Sequence, residues 1–168
     1  MPFKYYGGVH PDYAKTASKT PVRTISPPPV VVLPMIQQIG APNKPVVKVG
    51  DTVKMGQLIG SNDAPVSASV HSSVSGKVIA VEPRRHMLGD MVMSVVIEND
   101  FQDTPCEDMK PLSEEQLKDP DAIIARIREA GVVGMGGAMF PTAFKIQGAR
   151  GKVDTVIING AECEPYLC

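Results

Sequence analysis

The chain has 168 residues, of which 43% are hydrophobic, and its formal net charge at pH 7 is −1. This length and apolar content predict a folded protein with one ordinary domain or two small ones, and the near-neutral charge excludes a general electrostatic attraction to nucleic acid or to an anionic membrane. The longest apolar run, residues 30–33, is far shorter than the roughly 20 residues of a membrane-spanning helix.

Residues 1–29 are rich in Tyr, Gly, Thr, Ser and Pro and end in three consecutive prolines, so we predict an extended N-terminal arm. The chain starts without the apolar stretch of a secretion signal, and its three cysteines have no CxxC spacing, which favours a reducing, cytoplasmic setting. No metal site is predicted, because His10, His71 and His86 share no ligand spacing.

Residues 30–100 show short β-strand patterns separated by Gly, Pro, Asn and Asp. Strands are predicted at 30–33, 46–49, 57–59, 66–70, 76–81 and 92–98. The last of them alternates with the period of two that is typical of a strand with one buried face. Arg84, Arg85 and His86 are predicted to form a solvent-exposed loop between the last two strands, with a docking patch for an acidic partner as the alternative.

Two phrases in this region resemble a known fold. The pattern V-x-V-G-D-x-V-x-x-G-Q-x-I at 47–59, followed by S-G-x-V within 73–81, resembles the biotinyl/lipoyl barrel-sandwich hybrid, with Gly50 and Gly56 in turns. Carrier domains of that type present a modifiable lysine on the hairpin between their two β halves, but residues 61–69 contain no lysine. We therefore predict a barrel-sandwich domain at 30–100 that positions its neighbours and carries no swinging arm.

The periodicity changes after a predicted linker at 101–112. Asp119 and Pro120 form a helix start, and Gly131 is placed to end the same helix. One face of the helix carries Ile123, Ile124, Ile127 and Ala130. A short helix at 142–147 and a strand at 152–159 follow, and the apolar centre of that strand is typical of a parallel sheet. Residues 113–168 are thus the first, incomplete part of an α/β domain.

A glycine-rich loop, G-V-V-G-M-G-G-A-M-F-P-T, occupies residues 131–142. Glycines leave the backbone N–H groups open to an anion. A P-loop would need lysine where Gly137 stands, and a dinucleotide fingerprint starting at Gly134 would need Gly or Ala at Met139. The loop is therefore neither a P-loop nor a dinucleotide-binding fingerprint. The structural alternative is that its glycines only let a helix pack close to a strand.

A second motif, N-G-A-E-C-E-P-Y-L-C, occupies residues 159–168 at the carboxyl end of the predicted strand. Ligands of open α/β sheets bind beyond the carboxyl ends of strands. Asn and Glu side chains there can hydrogen-bond to a ring or a ribose, while the glycine loop and Lys145 can face a phosphate. The two motifs together predict a nucleotide-like pocket without saying which nucleotide it takes.

The pair G-x-G-G-A-x-F-P-T-x-x-K and I-N-G-A-E-C-E-P-Y resembles the flavin-binding subunit of respiratory NADH dehydrogenases. Three further phrases, at 7–11, 37–40 and 96–100, and the lysine-free barrel make the chain more similar to the C subunits of the Rnf complexes, the ion-translocating ferredoxin:NAD oxidoreductases. The likeness extends over nearly the whole chain. It implies an α+β protein, in which the barrel-sandwich hybrid precedes the start of a Rossmann-like flavin/NADH-binding domain.

The resemblance also implies a set of cofactor-binding residues. Those lining or hydrogen-bonding FMN, or lying beside the flavin and NADH, are Gly134, Gly136, Gly137, Ala138, Phe140, Lys145, Asn159, Glu162 and Glu164. No catalytic acid or base is assigned, because hydride transfer needs none. Met135 and Ala161 stand where the dehydrogenase subunits have Arg and Asp. Cys163 and Cys168 are predicted to be ordinary thiols, with an incomplete or shared cluster site as the alternative.

The activity implied is electron transfer between NAD(H) and iron–sulfur centres through FMN, with [4Fe–4S] clusters expected only in a further C-terminal part. The implied partners are the other subunits of a membrane-bound complex, and the implied location is peripheral, on the cytoplasmic side of the cell membrane. The alternative is a structural or adaptor barrel module that is inactive as a fragment. Its incomplete C-terminal part is then expected to be partly disordered or to self-associate.

Overall fold

A computed structural model describes Gly7, Asp12 and residues 18–160. The chain divides into two units: Pro27–Val153 forms one, and Met1–Ser26 with Asp154–Cys168 forms the other. In the second unit, the described residues 18–26 and 154–160 are exposed and contain no helix or strand. The predicted course of the arm over the neighbouring domain therefore stays a prediction.

The first part of the unit Pro27–Val153 consists of two antiparallel sheets. Their strands are β1 (Val30–Pro34), β2 (Lys44–Pro45), β3 (Thr52–Val53), β4 (Leu58–Ser61), β5 (Val70–His71), β6 (Gly76–Arg85) and β7 (Met91–Asn99). One sheet has the order β1-β7-β6-β3 and the other β2-β4-β5. Every pairing of neighbouring strands is antiparallel.

A single apolar core lies between the two sheets. Its buried members come from both sheets and from the β1–β2 connection: Met35, Val53, Ile59, Val70, Val78, Val95 and Ile97. Complete burial of a Val, Ile or Met side chain contributes about 1.5–3 kcal/mol each relative to exposure. Two sheets closing on one core confirm the predicted barrel-sandwich fold.

The long strands follow the sequence pattern, and the short ones do not. The predictions at 30–33, 57–59, 76–81 and 92–98 are confirmed in substance, although the four residues 94–97 are all buried, so both faces of β7 are covered at its centre. The strand predicted at 46–49 is wrong. Lys48 N–H donates to the Asp51 carboxylate (2.9 Å) and Asp51 N–H to Lys48 C=O (3.1 Å), so this stretch turns where a strand would continue.

Two other expectations in the barrel need correction. Only Val70 of the predicted strand 66–70 is in a strand, because residues 62–67 form a turn in which Ser67 Oγ lies 2.7 Å from Ala64 O. The predicted loop at residues 84–86 is also wrong, since Arg84 and Arg85 pair with Val92 and Met91 on β7. The turn begins only at residue 86. Gly50 and Gly56 have φ angles of +96° and +82°, as their predicted turns require.

Residues 104–107 lie on the barrel. Met55 N–H donates to Thr104 C=O (2.9 Å), Cys106 N–H donates to Met55 C=O (2.8 Å), and Lys54 forms an ion pair of 2.5 Å with Glu107. The Glu107 carboxylate raises the pKa of Lys54, and Lys54 lowers the pKa of Glu107. The linker at 101–112 and the other predicted domain boundaries stay predictions, with the first part of this segment packed against residues 54–56.

A short 3-10 helix (Gln116–Lys118) and two α-helices, α1 (Pro120–Glu129) and α2 (Thr142–Ala149), complete this unit. The predicted start of α1 is confirmed, because the Asp119 carboxylate accepts a hydrogen bond from Asp121 N–H (2.9 Å) and Pro120 is the first helical residue. Asp121, in the first turn of α1, pairs with Arg150 just after α2. The helices are therefore antiparallel, and the end of α1 lies beside the start of α2.

The strand predicted at 152–159 is wrong: the described residues 150–160 contain no strand. Val156, Ile157 and Ile158 are 78%, 87% and 84% exposed. An apolar run forms a parallel strand only when neighbouring strands supply hydrogen-bond partners and cover its faces. No parallel sheet is present in the described part of the chain to do so.

His71 makes folding stability dependent on pH. Burial lowers its pKa from the ordinary value of 6.5, and the Glu129 carboxylate opposes this more weakly. As the pH falls below 6.5, His71 takes up a proton in the unfolded state first, so stability is present above that pH and is lost below it. We expect His71→Gln to flatten the loss measured by urea unfolding between about pH 7.5 and about pH 5.5. His86→Gln, in the β6–β7 turn, is the control, and an unchanged slope in His71→Gln would contradict the assignment.

Candidate functional site

The glycine loop begins where α1 ends. Gly131 has φ +68°, and its N–H donates to Arg128 C=O (3.0 Å), while Val132 N–H donates to Ile127 C=O (3.1 Å). These two bonds form a Schellman motif, in which the residue after the helix takes a left-handed conformation that suits glycine. The predicted helix end at Gly131 is thereby confirmed.

A short antiparallel bridge closes the base of the loop. Val133 pairs with Pro141, Gly134 N–H donates to Phe140 C=O (2.9 Å), and Thr142 N–H donates to Val132 C=O (3.0 Å). Pro141 is fully buried at this base. Residues 134–140 thus form a loop fixed at both ends, between the end of α1 and the first residue of α2.

Two glycines in the loop have no structural reason to be glycine. A Cβ atom at Gly136 or Gly137 would meet no described atom within 4 Å, and neither residue has a positive φ. Gly134 is in only ordinary contact, 3.8 Å from Phe140 backbone atoms. Within the described residues, close packing therefore explains the absence of a side chain at Gly131, next to Ser69, but not at Gly136 or Gly137.

The loop and the start of α2 present unused hydrogen-bond donors. Between Met135 and Ala138, no backbone N–H donates a hydrogen bond to any residue that the structure describes. The N-cap of α2, Pro141, makes no side-chain capping bond, and the first N–H groups of a helix have no acceptor within it. Lys145 lies exposed in the first turn of α2. Amide dipoles and a cation at a helix N-terminus form an environment suited to an anion.

Phe140 has a structural contact of its own. Its ring meets that of Phe144 edge to face, with centroids 5.9 Å apart and an interplanar angle of 63°. Such pairs contribute about 0.5–1.5 kcal/mol beyond the area they bury. Phe140 therefore holds the end of the loop against α2, in addition to any cofactor contact.

The structure brings one contiguous half of the predicted site together and leaves the other half untested. Six of the predicted residues lie on the loop and the first turn of α2: Gly134, Gly136, Gly137, Ala138, Phe140 and Lys145. Asn159 is exposed and belongs to the other unit. Glu162 and Glu164 lie outside the described residues, as do Ala161, Cys163 and Cys168.

Family models match both the barrel region and the region of the glycine loop. The family model described as "RnfC Barrel sandwich hybrid domain" matches residues 3–102, more than half of the sequence. The chain belongs to the RnfC family. A second family model, "Nuo51 FMN-binding domain", matches residues 127–168 and so includes both the glycine loop and the 159–168 motif of this RnfC-family chain.

Individual relatives extend the match over the whole length of the chain. It is 50% identical to the C subunit of the Na(+)-translocating ferredoxin:NAD(+) oxidoreductase complex of Acetobacterium woodii, over 97% of this chain and 37% of that protein. It is 45% identical to the proton-translocating counterpart of Clostridium ljungdahlii (97% and 36%). It is 42% identical to the C subunit of the ion-translocating oxidoreductase complex of Klebsiella pneumoniae (97% and 22%). The RnfC-family chain thus spans between 22% and 37% of these curated relatives.

The chemistry of the loop fits FMN. A flavin mononucleotide has an anionic phosphate, and the loop offers free amide donors, two glycines open to a closely approaching ligand and one nearby lysine cation.

No described helix of the RnfC-family chain has the length and hydropathy of a membrane span.

Proposed function

We propose that the chain is the part of an RnfC protein that carries the phosphate half of an FMN site, and that the whole protein transfers electrons between NAD(H) and iron–sulfur centres. The observation that carries the proposal is the pair Gly136 and Gly137, whose missing side chains neither the backbone conformation nor the packing of described residues requires. The match of residues 127–168 to an FMN-binding family supports the choice of ligand.

Several loop residues would serve in binding and orientation. The N–H groups from Met135 to Ala138 would donate to the FMN phosphate, and Lys145 would add a positive charge at the N-terminus of α2. Phe140, whose ring packs against Phe144, would contact the flavin or the nicotinamide. When bound, FMN supplies two-electron exchange with NAD(H) and single-electron exchange with iron–sulfur centres.

The remaining half of the site comes from the 159–168 motif and from a longer protein. Asn159 would hydrogen-bond FMN, and Glu162 and Glu164 would serve the flavin and the nicotinamide, as the resemblance implies. The [4Fe–4S] clusters belong to a further C-terminal part. The protein works with the other subunits of a membrane-bound complex, and the names of its relatives as complex subunits support this part of the proposal. Its proposed place is peripheral, on the cytoplasmic side of the membrane.

Reconstitution of the full-length protein tests this function. Purified protein incubated with FMN and desalted should retain flavin absorption, and NADH should bleach it under anaerobic conditions. The 168-residue chain is the matched comparison, and we expect it to retain much less FMN, since only part of the site lies within it. A full-length protein that keeps no flavin, or whose flavin NADH does not reduce, would favour the structural or adaptor role instead.

A further inference from the structure

Residues 61–69, which run from the end of β4 to the start of β5, are held by several hydrogen bonds. Asn62 Nδ2 donates to Pro42 C=O (2.6 Å), and Asn43 Nδ2 donates to Ala68 C=O (2.8 Å). Ala41 N–H donates to Val66 C=O (3.0 Å). Both Asn43 and Ser67 are only 4% exposed. This 61–69 segment is therefore a rigid part of the barrel, at the place where carrier domains of the same fold present their lysine.

Arg128, in the last turn of α1, reaches this segment. Its Nη2 donates to Ala64 C=O at 2.6 Å and lies 3.4 Å from Ser67 Oγ. The arginine side chain is partly buried, so solvent competes less for these bonds. A hydrogen bond from a charged donor to a neutral acceptor is stronger than one between two neutral groups. Arg128 thus ties the end of α1 to the barrel.

Gly131 makes a second contact with the same segment. A Cβ atom built on Gly131 would lie 2.2 Å from Ser69 O, far closer than such atoms can approach. The backbone of the residue that ends α1 therefore rests directly on the backbone of the 61–69 segment. Glu129 is also near enough to His71, two residues beyond Ser69, to oppose the lowering of its pKa.

We infer that Arg128 and Gly131 are positioning residues, which fix the end of α1 on the 61–69 segment and thereby set the place of the glycine loop. Residues 134–140 of the loop start only three residues after Gly131, and their base is closed by the bridge between Val133 and Pro141. A shift of the end of α1 would move that base with it. The barrel-sandwich domain thereby holds the FMN site in position, so this inference rests on the function proposed above.

Two arginine variants of the full-length protein test this positioning role. We expect Arg128→Ala to weaken FMN binding about tenfold, the equivalent of losing one hydrogen bond of this kind, and Arg128→Lys to restore most of the affinity with its single ammonium donor. Hydrogen exchange of the amides of Val132, Gly134 and Thr142, which are hydrogen-bonded at the base of the loop, should accelerate in Arg128→Ala, whether or not FMN is present. Arg84→Ala, in the β6–β7 hairpin, is the control and should change neither measurement.

Alanine substitutions at Gly131 and Gly151 separate the effect of close packing from that of backbone strain. Gly131 and Gly151 have nearly the same φ, +68° and +69°, but a Cβ at Gly151 would meet no described atom within 4 Å. Gly131→Ala should accelerate exchange of the Val132, Gly134 and Thr142 amides, and Gly151→Ala should not. If the wild-type protein binds no FMN, the proposed function fails. The exchange measurement still tests whether Arg128 and Gly131 fix the end of α1 on the 61–69 segment. Unchanged exchange in both Arg128→Ala and Gly131→Ala would overturn the inference.

Discussion

Replacing Gly76 with alanine is expected to destabilise the barrel by about 4 kcal/mol or more, among the largest effects of a single substitution. Gly76 has φ +154°, and a Cβ there would lie 1.9 Å from Glu98 O. Gly76 pairs with Asn99 on β7 and with Val53 on β3, so its backbone is fixed on both sides. The clash is with backbone atoms and can be relieved only by separating β6 from β7.

Gly89→Ala is the matched control for this prediction. Gly89 also has a positive φ, +101°, but a Cβ there would meet no described atom within 4 Å. We therefore expect it to cost only the left-handed conformation itself, about 1–2 kcal/mol. Urea unfolding followed by circular dichroism compares the two. Equal losses for Gly76→Ala and Gly89→Ala would show that the contact with Glu98 has no special weight.

The sequence predicts those parts of the fold whose causes are local. The start and end of α1 follow from Asp119, Pro120 and Gly131, which act within one turn of the helix. The long strand β7 is predicted by the period of two in its own residues, although both faces of its centre are buried. Two-residue strands such as β3 contain no period that a pattern could reveal, and they exist because a neighbour is in place. The strand predicted at 152–159 fails for the same reason, since it has no neighbour in the described part of the chain.

The candidate site divides in the same way. The loop residues from Gly134 to Lys145 are contiguous, so one motif is enough to predict them together. Arg128 lies in the last turn of α1, where its charge suits the negative end of the helix dipole, and its bond to Ala64 joins residues that are 64 positions apart. Nothing in the local sequence around Arg128 signals that contact. The close approach of Gly131 to Ser69 is equally non-local.

Gly137→Asp in the full-length protein is expected to lower the affinity for FMN by at least about 100-fold while leaving the barrel folded. The side chain has room within the described residues and needs no positive φ, so it does not strain the chain. It places a carboxylate among the amides proposed to hold the phosphate. Two like charges about 6 Å apart repel by about 3 kcal/mol at an effective dielectric constant of about 20, and this corresponds to about 100-fold in affinity.

Gly137→Asn separates this charge effect from the size of the side chain. Asparagine has nearly the same volume, so it should lose only the close approach of the ligand, about tenfold in affinity. Titration of the apoprotein with FMN at several salt concentrations measures the ratio between the two variants. Because salt screens charges that are open to solvent, the ratio should shrink as salt is added. If aspartate and asparagine weaken FMN binding equally at low salt, the phosphate does not lie at this loop, and the FMN must enter the site with another part facing Gly136 and Gly137.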